Sequence, residues 1–175
     1  MDWRDLMVDG FGRIQESLEE ALNGLTADDL DRLPCPDCNS IGWLAWHTSR
    51  IQDEEMENLM VEEQLWVKGG WHARFNRPPD PKDTGTGHTS EQVAAFRSPD
   101  VETFLAYHRA VSERTNSYLA ALPASELGRE LNEPWWQPVP TVGVRIVSVL
   151  ADNLMHVGEL SYVRGLLKGK GGLKY

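Results

Sequence analysis

Four stretches of this chain space their apolar residues by threes and fours, and the segments between them carry Gly and Pro. Helices patterned this way bury their stripes against one another, which makes an all-α, four-helix bundle the expected architecture. The first stretch runs from Trp3 to Leu22, with Leu6, Met7, Ile14, Leu18 and Leu22 on its stripe and Gly24 as its stop. Thr26-Ala-Asp-Asp29 reads as the capping box of a short turn, and Pro34 and Pro36 break the chain again. The second stretch starts at the capping pair Asn39-Ser40 and continues to about Val61. Its inner stripe is Ile41, Leu44, His47/Thr48, Ile51, Glu55 and Leu59.

The third helix is expected to open with Ser98 as cap and Pro99 at the first helical position. It carries Val101, Phe104, Leu105, His108, Val111, Thr115, Tyr118 and Leu122 before Pro123 stops it. The fourth runs from about Thr141 to Leu167, with Val142, Ile146, Val149, Leu160, Val163 and Leu167 on one face and a Gly-rich tail behind it. No convincing strand and no fixed repeat interrupts this pattern, so residues 1–175 read as a single domain. Long ordered connections are expected between helices two and three and between helices three and four. Residues 66–99 hold one short helical stretch, Ser90 to Phe96, and their Trp66, Trp71 and Phe75 need a surface to pack on. Residues 133–140, EPWWQPVP, should be extended, because each Pro disfavours helix at the residue before it.

Charge excludes some partners. Against 17 Lys and Arg stand 27 Asp and Glu, a net charge of −10 with no dense basic run, so no nucleic-acid partner is expected. No apolar run reaches membrane-spanning length, so no membrane is expected either. Acidic residues at the N-terminus sit where an export signal would be apolar. Cys35 and Cys38, the only cysteines, do not make a secreted disulfide framework, and a cytoplasmic location is the expectation. The CPDC segment lacks the βαβ context of a redox motif and two further ligands for zinc, so the pair reads as loop residues.

The apolar stripes are interrupted by groups that need partners. Asp152 and His156 are four apart, which places them ~40° apart around a helix and ~6 Å apart along it, on one face. His47 interrupts the stripe of the second helix. Two imidazoles and a carboxylate, with coordination positions left over, suit a catalytic divalent metal. The competing reading is that each histidine is a hydrogen-bonded core residue, as the similarly placed His108 illustrates. Asp152 can alternatively serve as the acceptor that orients His156. Glu159, three residues beyond His156, is a candidate extra ligand, general base or orienting group. Trp43 and Trp46 read as packing residues, Trp135 and Trp136 as the mouth of the bundle, and Arg50 as a partner of Asp53.

Three strings, IGWLAWHTSRIQDEE (41–55), GTGHTSEQVAAFRS (85–98) and VGVRIVSVLADNLMHVGELSYVRGLL (142–167), resemble the DinB-like superfamily. The similar branch is one of unknown function, related to the metal-binding domain of mycothiol-dependent maleylpyruvate isomerase. That resemblance implies a four-helix bundle holding one divalent metal through a His of the second helix and two residues four apart in the last. His47, Asp152 and His156 match those positions. The first of the last pair is usually His in the superfamily and an acid in the isomerase-like branch; here it is Asp. Zinc is the first expectation for the ion and nickel the second. The resemblance further implies a small-molecule substrate and a transferase or isomerase using a low-molecular-weight thiol such as mycothiol or bacillithiol. A hydrolase activating water and a non-catalytic metal- or ligand-binding bundle are the alternatives. A homodimer is expected from the exposed apolar surface that bundles of this kind pair.

Overall fold

The computed structural model describes residues 1–169. Its long helices are α1 (Trp3–Leu22), α3 (Ile41–Met60), α7 (Val101–Ala121) and α8 (Val142–Lys168). Between them lie the short helices α2 (Ala27–Asp31), α4 (Leu65–Lys68), α5 (Trp71–Arg74) and α6 (Ser90–Ala94), and a 3₁₀ turn at Ala124–Gly128. The caps follow from local chemistry. Asp2 and Asp5 form a capping box on α1, and Thr26 and Asp29 form the one expected on α2. Ser40 accepts from the Trp43 N–H to start α3, and Thr141 accepts from the Val144 N–H to start α8.

The start of α7 differs from the expectation. Asp100, not Ser98, is the cap, its carboxylate accepting from the Thr103 N–H at 2.8 Å. Ser98 is held back because its own N–H donates to Asp31 and it lies against Gly42, where a Cβ would stand 1.9 Å from its hydroxyl. The stripe assigned to α3 is corrected as well. Ile51 and Glu55 are only half-buried, whereas every residue from Ile41 to Arg50 is buried. The outer side of that half-helix is covered by the chain that follows it, so an amphipathic stripe is not what the fold asks of it. The cysteines are corrected too: Cys35 and Cys38 are joined in a disulfide, closing the turn before α3. The tail from residue 170 onward lies outside the described residues.

Side-chain contacts fix the helix directions. Arg145 of α8 meets Glu55 of α3, and Asn153 meets Gln52, so α3 and α8 are antiparallel. Ser49 meets His108 and Gln52 meets Thr115, so α3 and α7 run parallel. Arg4 reaches the Leu122 carbonyl while Arg109 reaches Glu19, so α1 opposes α7. Around the bundle the order is α1, α7, α3, α8, with α1 and α8 the remaining neighbours. Parallel neighbours demand a return crossing of a whole helix length, ~30 Å for 20 residues. Residues 61–100 make that crossing.

Asp53, fully buried, anchors the crossing. Its carboxylate accepts from the Leu65 and Trp66 N–H groups at 3.0 and 2.8 Å, from the Tyr107 hydroxyl at 2.8 Å and from Arg114 at 2.7 Å. Arg50 stands 3.6 Å away, the pairing the sequence suggested, while its other nitrogens donate to the Asp83 and Pro81 carbonyls. Trp66 and Phe75 then pack against Tyr107, and Trp71 against the same ring. The crossing is therefore pinned by one charge hub and one aromatic cluster, and its 81–88 segment lies over the buried half of α3.

Candidate metal centre

His47 is buried in α3, and its ring stacks on Trp43 with centroids 4.8 Å apart. Its Nδ1 lies 2.6 Å from the Thr84 carbonyl oxygen. A carbonyl only accepts, so Nδ1 carries the proton and Nε2 presents a lone pair. Burial, the largest influence, moves the His47 pKa downward and keeps the ring neutral.

From the facing helix comes His156, whose ring centroid is 4.6 Å from that of His47. Its Nδ1 lies 2.8 Å from Glu159 Oε2, so this carboxylate plays for His156 the part that the Thr84 carbonyl plays for His47. His156 Nε2 is 3.6 Å from Asp152 Oδ1. The neighbouring Asp152 carboxylate is the largest influence on His156 and moves its pKa upward. The second oxygen of Asp152 is buried without a hydrogen-bond partner. One ligand atom from each of His47, Asp152 and His156 falls within 4.8 Å of the other two.

With both Nε2 atoms unprotonated, the two imidazole lone pairs and the carboxylate repel one another unless a cation sits between them, either a proton on His156, which the Asp152 carboxylate favours, or a metal ion. The orphaned Asp152 oxygen and the two rings pinned at Nδ1 make this a set of residues that fits a divalent ion. Asp152 and His156 are only half-buried, so the position is open on one side.

That side opens into a cleft of about 220 Å³ lined by Ile51, Glu55, Thr86, Trp136, Arg145 and Asp152, among others. Arg145 is buried and bridges Glu55 and Glu133, under the ring of Trp136 at 4.9 Å. Burial pushes the Glu55 carboxyl up to about 7. Sequence reasoning placed Glu55 on the stripe and Trp136 at the mouth, yet gave neither Glu55 nor Arg145 a part in the site. The available signal was a charged residue, Glu55, on the inner stripe of the second helix; its partner Arg145 is fixed only by the antiparallel packing of α3 and α8.

The remaining candidates fall elsewhere. His108 is a core residue, buried and hydrogen-bonded to Ser49. His88 accepts from the Trp43 indole N–H at 3.1 Å and donates from Nε2 to Asp83 at 3.0 Å, which fixes its tautomer and ties the 83–88 loop to the ring stacked on His47. Trp43 and Trp46 are both core residues.

An all-α bundle with a His-Asp-His cluster between two facing helices is thus the class of protein that fold and site define. The chain belongs to the DinB superfamily, which it matches over residues 11–160. It is similar to the crystal structure of a conserved protein from Enterococcus faecalis, with 30% sequence identity and a TM-score of 0.89 over 97% of this chain and 99% of that one. No curated protein matches it. Among the described residues no helix is long and apolar enough to cross a membrane.

Proposed function

We propose that this protein is a metal-dependent transferase or isomerase that binds one divalent ion, zinc first and nickel next, through His47, Asp152 and His156, and acts on a small molecule with a low-molecular-weight thiol as co-substrate. The observation that carries the reading is the convergence of three acceptors beside a cleft that a small molecule can enter. The thiol is supported by the resemblance to thiol-dependent DinB-like enzymes. When bound, such an ion lowers the pKa of a coordinated thiol and holds it as thiolate.

The chain's own residues divide the remaining work. Thr84 and Glu159 hold the two rings so that both Nε2 atoms face the ion's position. Ile51 and Val149 give the cleft apolar walls, and Trp136 closes it above Arg145. Glu55, with its carboxyl near neutrality, is placed to accept the proton a thiol releases and to return one to the product. Glu159 is given the orienting part because it bonds His156 Nδ1 and does not line the cleft, whereas Glu55, although paired with Arg145, does.

The test is elemental analysis of untagged protein beside His156→Ala, followed by thiol-transfer assays on the loaded protein. About one equivalent of zinc or nickel in the parent and none in the variant supports the site. Turnover that requires thiol supports the reaction. Turnover without thiol makes the protein a hydrolase, and metal without turnover makes it a binding bundle.

A further inference from the structure

The turn between α2 and α3 holds a motif that the metal centre leaves without a part, the disulfide between Cys35 and Cys38. It is a poor staple. A disulfide stabilises a fold mainly by closing a loop of the unfolded chain, and the gain grows with loop length. This one closes only the turn CPDC. Both ends of that turn are held without it. Leu30 and Ile41 are fully buried on either side. Asp31 accepts from the Ser98 N–H at 2.9 Å, and Ser40 caps α3. Across the turn itself the Cys38 N–H donates to the Cys35 carbonyl at 3.2 Å.

The exposure of the pair is that of a reactive one. Cys35, Pro36 and Asp37 are exposed and Cys38 is half-buried, so Cys35 is the residue that a molecule in solution meets first. Cys38 stands two residues before the Ser40 cap of α3, a helix of 20 residues whose N-terminus favours negative charge. It is therefore the better-placed leaving thiolate. Pro34 and Pro36 fix their own φ and restrict the residues before them, so the reduced turn keeps its two sulfurs close. No βαβ unit surrounds the pair, but exchange needs only a reachable sulfur, a stable leaving thiolate and a neighbour held nearby.

We propose that Cys35 and Cys38 form a second reactive site of this protein, a dithiol–disulfide couple that exchanges with low-molecular-weight thiols. A thiolate from solution attacks the Cys35 sulfur. The bond between the two cysteines breaks as the mixed disulfide forms, and its electron pair leaves on Cys38, which takes a proton from water. A second thiolate attacks the small molecule's sulfur in the mixed disulfide, which releases a small disulfide and frees Cys35 to take a proton. Two thiols are thus oxidised to one disulfide, and the protein disulfide is reduced to two thiols. In the reverse direction Cys35 attacks a small disulfide and Cys38 closes the ring. His47 lies seven residues beyond Ser40, ~10 Å along α3, and neither cysteine lines the cleft, so the couple needs no metal at that centre.

Glutathione is the probe that tests this. The full-length chain, folded and with chelator present, is equilibrated in millimolar glutathione over a range of thiol-to-disulfide ratios, quenched, alkylated and weighed by mass spectrometry. Both cysteines should pass together from disulfide to dithiol across those ratios, with circular dichroism unchanged and Tm lowered by less than about 10 °C. Cys38→Ser treated with glutathione disulfide should trap one glutathionyl group on Cys35. Cys35→Ser should take one up at Cys38 about tenfold more slowly. A pair that stays oxidised throughout, or is reduced only after urea has unfolded the chain, overturns the proposal, as does reduction that itself unfolds the chain. Glutathionylation of Cys38 as fast as that of Cys35 overturns the roles given to the two sulfurs.

Discussion

Gly85→Ala is the substitution that most directly tests how the 83–88 loop holds the site together. Gly85 has φ +93°, and a Cβ built there would stand 2.8 Å from the Trp43 ring, 2.9 Å from Trp46 and 3.2 Å from His47 Nδ1. None of these is the free end of a flexible side chain. Trp43 is stacked on His47 and bonded to His88, and Trp46 is wholly buried. Placing an L-residue in left-handed backbone costs about 1–2 kcal/mol. Forcing two packed rings apart adds about 1–3 kcal/mol. The variant should lose about 2–5 kcal/mol, a fall in Tm of roughly 5–15 °C for a chain of this size. The clash also pushes on the ring whose Nδ1 donates to Thr84, so Kd for zinc should rise about 10- to 100-fold. Gly87→Ala is the internal control. Its φ is +77° but its Cβ would meet nothing within 4 Å, so it should carry the backbone cost alone and leave zinc affinity unchanged. Urea unfolding of the metal-free protein and competitive zinc titration measure the two effects. Equal stability losses in the two variants, or an unchanged zinc Kd in Gly85→Ala, would refute the reasoning.

Three further outcomes are expected. His108 is fully buried and its pKa is held down to about 4 by that burial, below the ordinary 6.5 of the unfolded chain. Between those values the unfolded state binds the extra proton, so stability should fall as pH drops from 6.5 to 4, by on the order of 3 kcal/mol, and His108→Gln should flatten that slope in chemical denaturation. Glu159→Gln keeps an acceptor for His156 Nδ1 without its charge, while Glu159→Ala removes it; zinc affinity should fall in the order parent, Gln, Ala, by about 10- to 100-fold for Ala. Asp53→Ala removes the acceptor shared by Leu65, Trp66, Tyr107 and Arg114 and leaves guanidinium groups unpaired, so unfolding should cost about 3–5 kcal/mol less and protease should cut first within 61–100.

Local chemistry settled much of this protein before any packing was known. The boundaries of α1 and the cap of α3 follow from periodicity and from one side chain bonding its neighbour's N–H, interactions that span four residues. Asp152 and His156 share a face for the same reason, since helix geometry alone sets an i,i+4 pair. The cap of α7 was misplaced where a long-range bond, Ser98 N–H to Asp31, took the expected cap out of use.

What only the tertiary structure decided is the company these residues keep. His47 meets His156 because α3 and α8 are antiparallel neighbours, a relation set by packing across more than a hundred residues of chain. Its Nδ1 partner is a backbone carbonyl, and every residue has one, so no sequence signature marks Thr84. Glu55, Arg145 and Glu133 become one cluster only when three separate segments converge, and the burial of Arg50 follows from a crossing that brings carbonyl oxygens to it. Helix periodicity is a short-range property legible in a single chain; ligand geometry depends on contacts between segments, which the sequence specifies only through the fold.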